Sequence, residues 1–318
     1  MTQMAADGCV LAVDVGGTKL AAALVGPHGE ILRSVRTPTP VGVGPTALFE
    51  LVLALLRDVS GYTPVCGIGV GCGGPMVWPA GLVSPLNIPD WRDFPLRAAL
   101  AEYYPGVPVR LQNDAVCVAV AEHWAGAGVG SHHVLGMVVS TGVGGGLVLD
   151  GRLVVGSTGN AGHVGHVVVD PSGPLCACGG YGCLEALASG PALVLWASGQ
   201  GWQPVLQPGE IADARRLAVD AEAGVPVAVA AFARAGWALG VGIASAVALT
   251  DVDIVAVGGG VTQVGPMLFD PLAAAYARHA GLGFARRPRV VPAALGQDAG
   301  LVGAAALVLA GDRYWTAD

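Results

Sequence analysis

Apolar and polar residues along this chain alternate in short runs that a strand or a helix would each need. Residues 9–14 (Cys-Val-Leu-Ala-Val-Asp) are almost wholly apolar and predict a buried strand. Gly16-Gly17 turns the chain, and Lys19 to Val25 predicts a second strand. Pro27-His28-Gly29 is another turn, before a third strand at 30–35. The three form an antiparallel meander. Leu48, Leu51, Val52, Leu55 and Leu56 give 46–59 a helical period, and 65–71 predicts another buried strand. A helix from about Phe94 to Tyr103 leads to a strand from Val107 to Leu111. The pattern then starts again. A strand at 133–140 ends in Ser140-Thr-Gly-Val-Gly-Gly-Gly146, Leu147 to Leu149 continues, and Asp150-Gly151 is a type I′ hairpin turn before Leu153 to Val155. Helices follow at about 184–196 and 226–249, then a strand at 252–257, a helix near 266–280, a strand at 288–292 and a helix at 298–310. Residues 197–225, rich in Gly, Gln, Pro and Asp, read as a soft connection. Two copies of meander, strand and helix predict a duplicated α/β architecture.

The length of 318 residues agrees with two domains. A net charge of −7 and the lack of any Lys/Arg cluster argue against a nucleic-acid partner. The longest apolar run, Ala235 to Thr250, is short of the roughly 20 residues that span a bilayer and contains Gly236, Gly240 and Gly242. It predicts a buried helix, hence no membrane partner. The N-terminal Met-Thr-Gln-Met-Ala-Ala-Asp-Gly has no basic region followed by an apolar core, so no signal peptide is expected. Cys9, Cys66, Cys72 and Cys117 are scattered among Val, Ala and Gly, as reduced thiols of a cytoplasmic protein would be.

The other three cysteines cluster. His166, Cys176, Cys178 and Cys183 form an H-x9-C-x-C-x4-C array within a Gly-rich turn. One imidazole and three thiolates suit tetrahedral zinc, and four protein ligands leave no open position. The expected metal is therefore structural Zn²⁺.

Three Gly-rich segments follow predicted strands. Asp14-Val-Gly-Gly-Thr-Lys19 offers backbone N–H groups of Gly16 and Gly17 and the Thr18 hydroxyl to an anion, with Asp14 able to hold a hydrated Mg²⁺ beside it. Ser140 to Gly146 repeats the arrangement in the second half, and Gly258-Gly259-Gly260 is the third. Facing one another, they would clamp a polyphosphate. Gly69-Val-Gly-Cys-Gly-Gly74 spells a dinucleotide fingerprint, but Pro75, Pro79 and Gly81 follow it where a helix should open, which argues against a dehydrogenase. No P-loop motif is present.

Asn113-Asp114 closes one strand and opens the helix Ala115 to Trp124. Both residues are good N-caps, and the end of a strand is also where open α/β sheets place ligand groups. Leu86-Asn87-Ile-Pro-Asp-Trp91 is a polar loop whose Asn87 can both donate to and accept from hydroxyls. Glu185 falls in the first turn of a helix, where the helix dipole favours a carboxylate. His123, His132 and His133 lie outside these motifs and read as residues without a functional role.

On these motifs, with Gly159-Asn-Ala-Gly-His-Val-Gly-His166, Val257-Gly-Gly-Gly-Val261 and Ala294-Leu-Gly-Gln-Asp-Ala-Gly300, the chain resembles the ROK family (repressors, open reading frames and kinases), most of all its bacterial glucokinases. The resemblance runs from Val10 to about Ala310. It implies the duplicated actin-like ATPase (ribonuclease H-like) fold, two α/β domains around a cleft: a smaller lobe of residues 1–114 plus 298–318, and a larger zinc-bearing lobe of 115–297. It implies transfer of phosphate from ATP, with Mg²⁺, to a hexose 6-hydroxyl, with Asp114 as general base. Asn87, Asn113, Asp114, His163, His166 and Glu185 would contact the sugar. Asp14, Gly16, Gly17, Thr18 and Lys19, with Thr141, Gly142, Gly144 and Gly145, would hold phosphate, and Gly258, Gly259 and Gly260 would lie near the nucleoside. The family makes a homodimer or homotetramer the expected assembly. Its repressors carry an N-terminal helix-turn-helix, for which the strand at Cys9 leaves no room here; a non-catalytic sugar-binding regulator is disfavoured by the intact Asp14 and Asp114.

One position departs from the family pattern. His163 stands where the family has Glu, at the end of the sugar opposite the 6-hydroxyl. A neutral imidazole donates one hydrogen bond and accepts one, whereas a carboxylate only accepts. Phosphorylation is expected to survive. Glucose, N-acetylmannosamine, mannose, an amino sugar or a cyclitol all stay open as substrate, as does polyphosphate as donor.

Overall fold

A computed structural model of the chain describes residues 8–206 and 209–316. Residues 1–7, on which the expectation of no signal peptide rests, and Gln207 and Pro208 of the expected soft connection lie outside the described residues. The first half contains β1 (Cys9–Val15), β2 (Lys19–Val25), β3 (Ile31–Pro38), α1 (Pro45–Ser60), β4 (Val65–Cys72), the short strands β5 (Met76–Val77), β6 (Leu82–Val83) and β7 (Phe94–Pro95), α2 (Leu96–Tyr103), β8 (Val109–Asn113) and α3 (Asp114–Ala125). The second half contains β9 (Val134–Val139), β10 (Val143–Leu149), β11 (Arg152–Leu153), α4 (Leu184–Ala188), α5 (Gly190–Gly199), α6 (Ala214–Glu222), α7 (Pro226–Thr250), β12 (Ile254–Gly258), α8 (Pro266–His279), β13 (Arg289–Pro292) and α9 (Ala299–Leu309).

The duplication is visible in the sheets. One has the order β3-β2-β1-β4-β8 and the other β11-β10-β9-β12-β13. In the first, β1 pairs antiparallel with β2 and parallel with β4. In the second, β12 pairs parallel with both β9 and β13. The chain divides into two compact units. The first runs through His132 and adds Gly146–Gly162 and the chain from Leu295 on; the second comprises His133–Gly145 and His163–Ala294.

In the first unit, strand alternation gives the sheet two buried faces. Leu11, Val13, Val15, Leu20, Ile68 and Val70 join Leu48, Val52 and Leu56 of α1 in one core. Trp91 is fully buried there and stacks on Phe94 at 4.6 Å. The opposite face receives α9 against β1 and β4, with α3 beside α9. Glu122, buried near the end of α3, accepts from Ala127 N at 2.8 Å and from Leu295 N at 2.9 Å. This ties the end of α3 to the entry into α9, because a buried carboxylate must find donors.

In the second unit, α7 packs along α8. A Cβ on Gly236 would lie 2.4 Å from Leu268 O, and one on Gly240 would lie 2.5 Å from Leu272 O. Glycine at both positions lets the two backbones approach. By length and composition alone α7 is apolar enough to cross a membrane, but 61% of its most apolar window is buried by its own fold.

Several boundaries differ from the sequence pattern for identifiable reasons. The helix expected at 184–196 is two helices, because Ser189 is extended (φ −68°, ψ 155°) and caps α5, with Pro191 next in its first turn. The soft connection at 197–225 contains α6, capped by Asp213, whose carboxylate accepts from Arg215 N and Arg216 N. Gly144, Gly145 and Gly146 lie inside β10, so the expected loop at 140–146 is a tight turn followed by strand. The fingerprint at 69–74 opens no helix: β4 continues to Cys72.

Candidate functional site

In the first unit, the loop between β1 and β2 is held by its carbonyls. Thr39 Oγ1 donates to Gly16 O at 2.6 Å, Thr39 N to Thr18 O at 3.1 Å, and Gly16 N to Lys19 O at 3.1 Å. A trans peptide points its C=O and N–H in opposite directions. Anchoring Gly16 O on Thr39 therefore turns the Gly17 N–H away from that anchor, the geometry of an anion cradle. Gly17 has no room for a side chain, since its Cβ would fall 2.4 Å from Asn87 Cβ. The structure thus brings Asn87 against the loop, a neighbour that sequence alone did not supply. Thr39, which anchors the loop, was missed; nothing in its local sequence marks it.

Asp14 is the penultimate residue of β1 and faces the start of α9: its Oδ2 lies 2.7 Å from where a Cβ on Gly300 would be. Burial, and secondarily the Asp114 carboxylate, push its carboxyl up to about 7 against the opposing pull of Lys19 and Arg36. The folded state thus keeps a proton that the unfolded chain loses near pH 4. Stability should fall as pH rises from about 4 to about 7, then level off. In metal-free buffer, Asp14→Asn is expected to melt like the wild type below pH 4 and about 3 °C or more higher at pH 8. Coincident melting curves across this range would contradict the burial of that charge.

Asn113 is the N-cap of α3, its Oδ1 accepting from Ala115 N at 3.0 Å, while its Nδ2 donates to Cys72 O at 3.5 Å. Both ends of the side chain serve the backbone, and one amide N–H remains. Asp114 is the first residue of α3, half-buried, and its Oδ1 also accepts from Ala115 N at 2.8 Å. Burial beside Asp14 and Asp114 pushes the Cys72 and Cys117 thiols well up, so both stay protonated.

In the second unit, Ser140 N donates to Gly142 O and Gly190 N donates to Ser140 O, both at 2.8 Å. Gly259 has φ 105°, and a Cβ there would lie 2.3 Å from Val139 O. The structure therefore gathers the turn at Thr141 and Gly142, the segment Gly258 to Gly260 and the start of α5. Gly144 and Gly145 follow as strand. Glu185, in the first turn of α4, sends Oε2 beneath this turn, where it accepts from Val143 N at 2.9 Å.

The metal candidates converge in the same unit. The ligand atoms of His166, Cys176, Cys178 and Cys183 all lie within 4.8 Å of one another. Cys176 Sγ is 3.8 Å from His166 Nδ1, and Cys178 Sγ is 3.7 Å from Cys183 Sγ. Bonds of about 2.3 Å to a tetrahedral zinc give sulfur–sulfur edges near 3.8 Å, so the cage has the right size. Burial and the neighbouring thiols push Cys183 up to about 12, which a divalent cation would reverse. His163 precedes the 3-10 turn Val164–His166, and its ring lies 6.3 Å from that of His166 with 20° between the planes. The four residues that the spacing groups thus lie together in the fold.

Two sheets of one topology with Gly-rich turns at matching places define the actin-like ATPase fold. Comparison with known proteins agrees. The ROK family model matches residues 10–310. A glucokinase of Thermotoga maritima is 34% identical over 309 residues, 94% of this chain and 96% of the relative. An N-acetylmannosamine kinase of Shigella flexneri is 36% identical over 308 residues, 94% and 97% of the two chains. A ROK family glucokinase from Streptomyces griseus, solved in complex with glucose and AMPPNP, superposes with a TM-score of 0.83 at 34% identity, over 96% of this chain and 100% of that one. The chain belongs to the ROK family.

Proposed function

We propose that glucose is the sugar whose 6-hydroxyl this ATP-dependent ROK sugar kinase phosphorylates, with Asp114 as the general base. One observation carries the reading. Asp114 sits near enough to raise Asp14's carboxyl, beside a loop whose anchored Gly16 carbonyl turns the Gly17 N–H outward, where it would meet an anion. Such an arrangement is costly unless a cation and a phosphate belong to it.

In this mechanism Asp114 accepts the 6-hydroxyl proton as the oxygen attacks the γ-phosphorus of ATP. Gly16, Gly17, Thr18 and Lys19 hold phosphate in the first unit, and Thr141, Gly142, Gly144 and Gly145 do so in the second. Gly258, Gly259 and Gly260 border the nucleoside. Asp14 is the residue that would hold Mg²⁺, which neutralises phosphate charge when bound. Asn87, the remaining N–H of Asn113, His163, His166 and Glu185 orient the sugar. Glu185 also fixes Val143, so sugar contact and phosphate turn share one support in the second unit. His166, Cys176, Cys178 and Cys183 fit structural Zn²⁺, which would brace this wall. With Nδ1 turned to Cys176, His166 keeps Nε2 for a hydroxyl. The reduced thiols suit a cytoplasmic protein. A homodimer or homotetramer that engages neither nucleic acid nor membrane completes the reading.

N-acetylmannosamine is the second reading, favoured by His163 and by the Shigella flexneri relative. A coupled assay of ATP consumption across glucose, N-acetylmannosamine, mannose, glucosamine and inositol decides between them. Glucose is expected to give the highest kcat/KM. His163→Glu is expected to change the ratio of glucose to N-acetylmannosamine by about tenfold, the factor of one gained or lost hydrogen bond to a charged group. If no sugar accelerates ATP consumption, and none does with polyphosphate in its place, the kinase reading is lost.

A further inference from the structure

One row of residues crosses the whole first sheet on the face that α9 covers. The register pairs Asp14 with Ala21, and Ala21 with Arg36. On the other side it pairs Asp14 with Gly71, and Gly71 with Gln112. Directly paired residues share a face because side chains alternate along each strand. Asp14 meets α9 at Gly300. Arg36 meets the same helix, because its guanidinium pairs with Asp298, the residue just before α9. Arg36 and Asp14 are two strands apart, roughly 10 Å between backbones. Ala21, with a side chain of a single methyl group, is the residue between them in the row, so the long arginine side chain can lie along it toward Asp14. The electrostatics agree: Arg36, with Lys19, is one of two cations that pull the Asp14 carboxyl down.

The present partner holds Arg36 weakly. The two side chains are 35% and 52% exposed, and ion pairs this exposed contribute little. Asp298 makes no capping bond to α9, so the helix does not depend on the pair. Among the described residues, Asp114 adds negative charge beside Asp14, Lys19 and Arg36 oppose it, and Asp298 faces Arg36. A polyphosphate tail seated on the Gly16–Lys19 loop would add further negative charge. The planar guanidinium matches phosphate oxygens with paired N–H donors, a better exchange than an exposed carboxylate.

We propose that Arg36 is a phosphate-binding residue of the nucleotide site, held by Asp298 at the edge of the sheet and released to the terminal phosphates of ATP. This rests on the assignment of the Asp14–Lys19 loop to phosphate. Titration calorimetry of the full chain with MgATP, and steady-state kinetics with glucose, test it on Arg36→Gln, Arg36→Lys and Asp298→Asn. Arg36→Gln is expected to weaken MgATP binding about tenfold, the factor of one charge-assisted hydrogen bond. It should raise KM for ATP by a similar factor, with kcat within about threefold and KM for glucose unchanged. Arg36→Lys should recover part of the loss. Asp298→Asn, which frees the guanidinium, should leave ATP binding intact or tighten it.

A mere brace predicts a different pattern. Both Arg36→Gln and Asp298→Asn would then lower the melting midpoint and weaken ATP alike, and that outcome overturns the proposal. So does Arg36→Gln that binds MgATP within about twofold of the wild type. If the unaltered chain binds no ATP, the loop assignment fails and this proposal with it. Normal ATP binding by the unaltered chain with an indifferent Arg36 variant removes this proposal alone.

Discussion

Asp114→Asn is expected to lower kcat by about two to four orders of magnitude, the usual contribution of a positioned general base. KM values for sugar and ATP should change little. Asn has the size of Asp, and the start of α3 remains capped by Asn113, so the fold should tolerate the change. What is lost is the group proposed to take the hydroxyl proton, together with the one charge that, after burial, holds the Asp14 carboxyl up. A second readout follows from this coupling. The pH window over which Asp14 affects stability should narrow toward acid in the variant, because a like charge has gone. Coupled assays give the rate, and melting curves across pH give the shift. Equal rates in variant and wild type would remove Asp114 from the reaction.

Metal removal should have an effect of comparable size through a different route. The segment from His163 to Glu185 contains little regular structure of its own. Its β pairing is two isolated bridges, Val168 with Cys183 and Leu175 with Tyr181. Turn hydrogen bonds such as Cys176 N to Gly180 O and Gly182 N to Pro174 O hold it, and the four gathered ligand atoms would add a cage if a metal binds. Structural zinc in small domains contributes about 10 kcal/mol or more of apparent folding free energy. Chelation, or Cys178→Ser, is therefore expected to release one zinc per chain, lower the melting midpoint by about 10 °C or more and abolish kinase activity. Activity should fail because His166, one of the four ligands, and Glu185, two residues after Cys183, would lose their positions. Metal analysis alongside the assay makes the test clear: full activity in a metal-free preparation would reject a structural role.

Much of the site was legible because its motifs are short and local. A metal cage needs ligand types at a spacing that a single turn can close, and His166 to Cys183 met that condition before any fold was known. Asn113 as a cap and Asp114 at the helix start followed from the preference of orphan N–H groups for side-chain oxygens. The duplicated meander followed from strand-length apolar runs and Gly-rich turns. Breaks inside a periodic stretch were harder. Ser189-Gly190-Pro191 splits a helix that its apolar residues would otherwise continue, and Asp213 starts one where composition suggested a loop.

Local chemistry, then, was determined by the chain itself: which segments are strands or helices, which turns can cradle an anion, and which four residues can share a metal. Those properties depend on neighbours a few residues away. Only the folded structure decided the pairings between distant segments. Thr39 lies behind the Gly16 loop, Asn87 against Gly17, Glu185 beneath Val143, and Arg36 in one row with Asp14 across Ala21. Register and close packing set these contacts. A shift of one residue in the pairing of β3 with β2 would turn Arg36 to the face opposite Asp14, and the contacts of Thr39, Asn87 and Glu185 depend on loops and a helix packed from far along the chain.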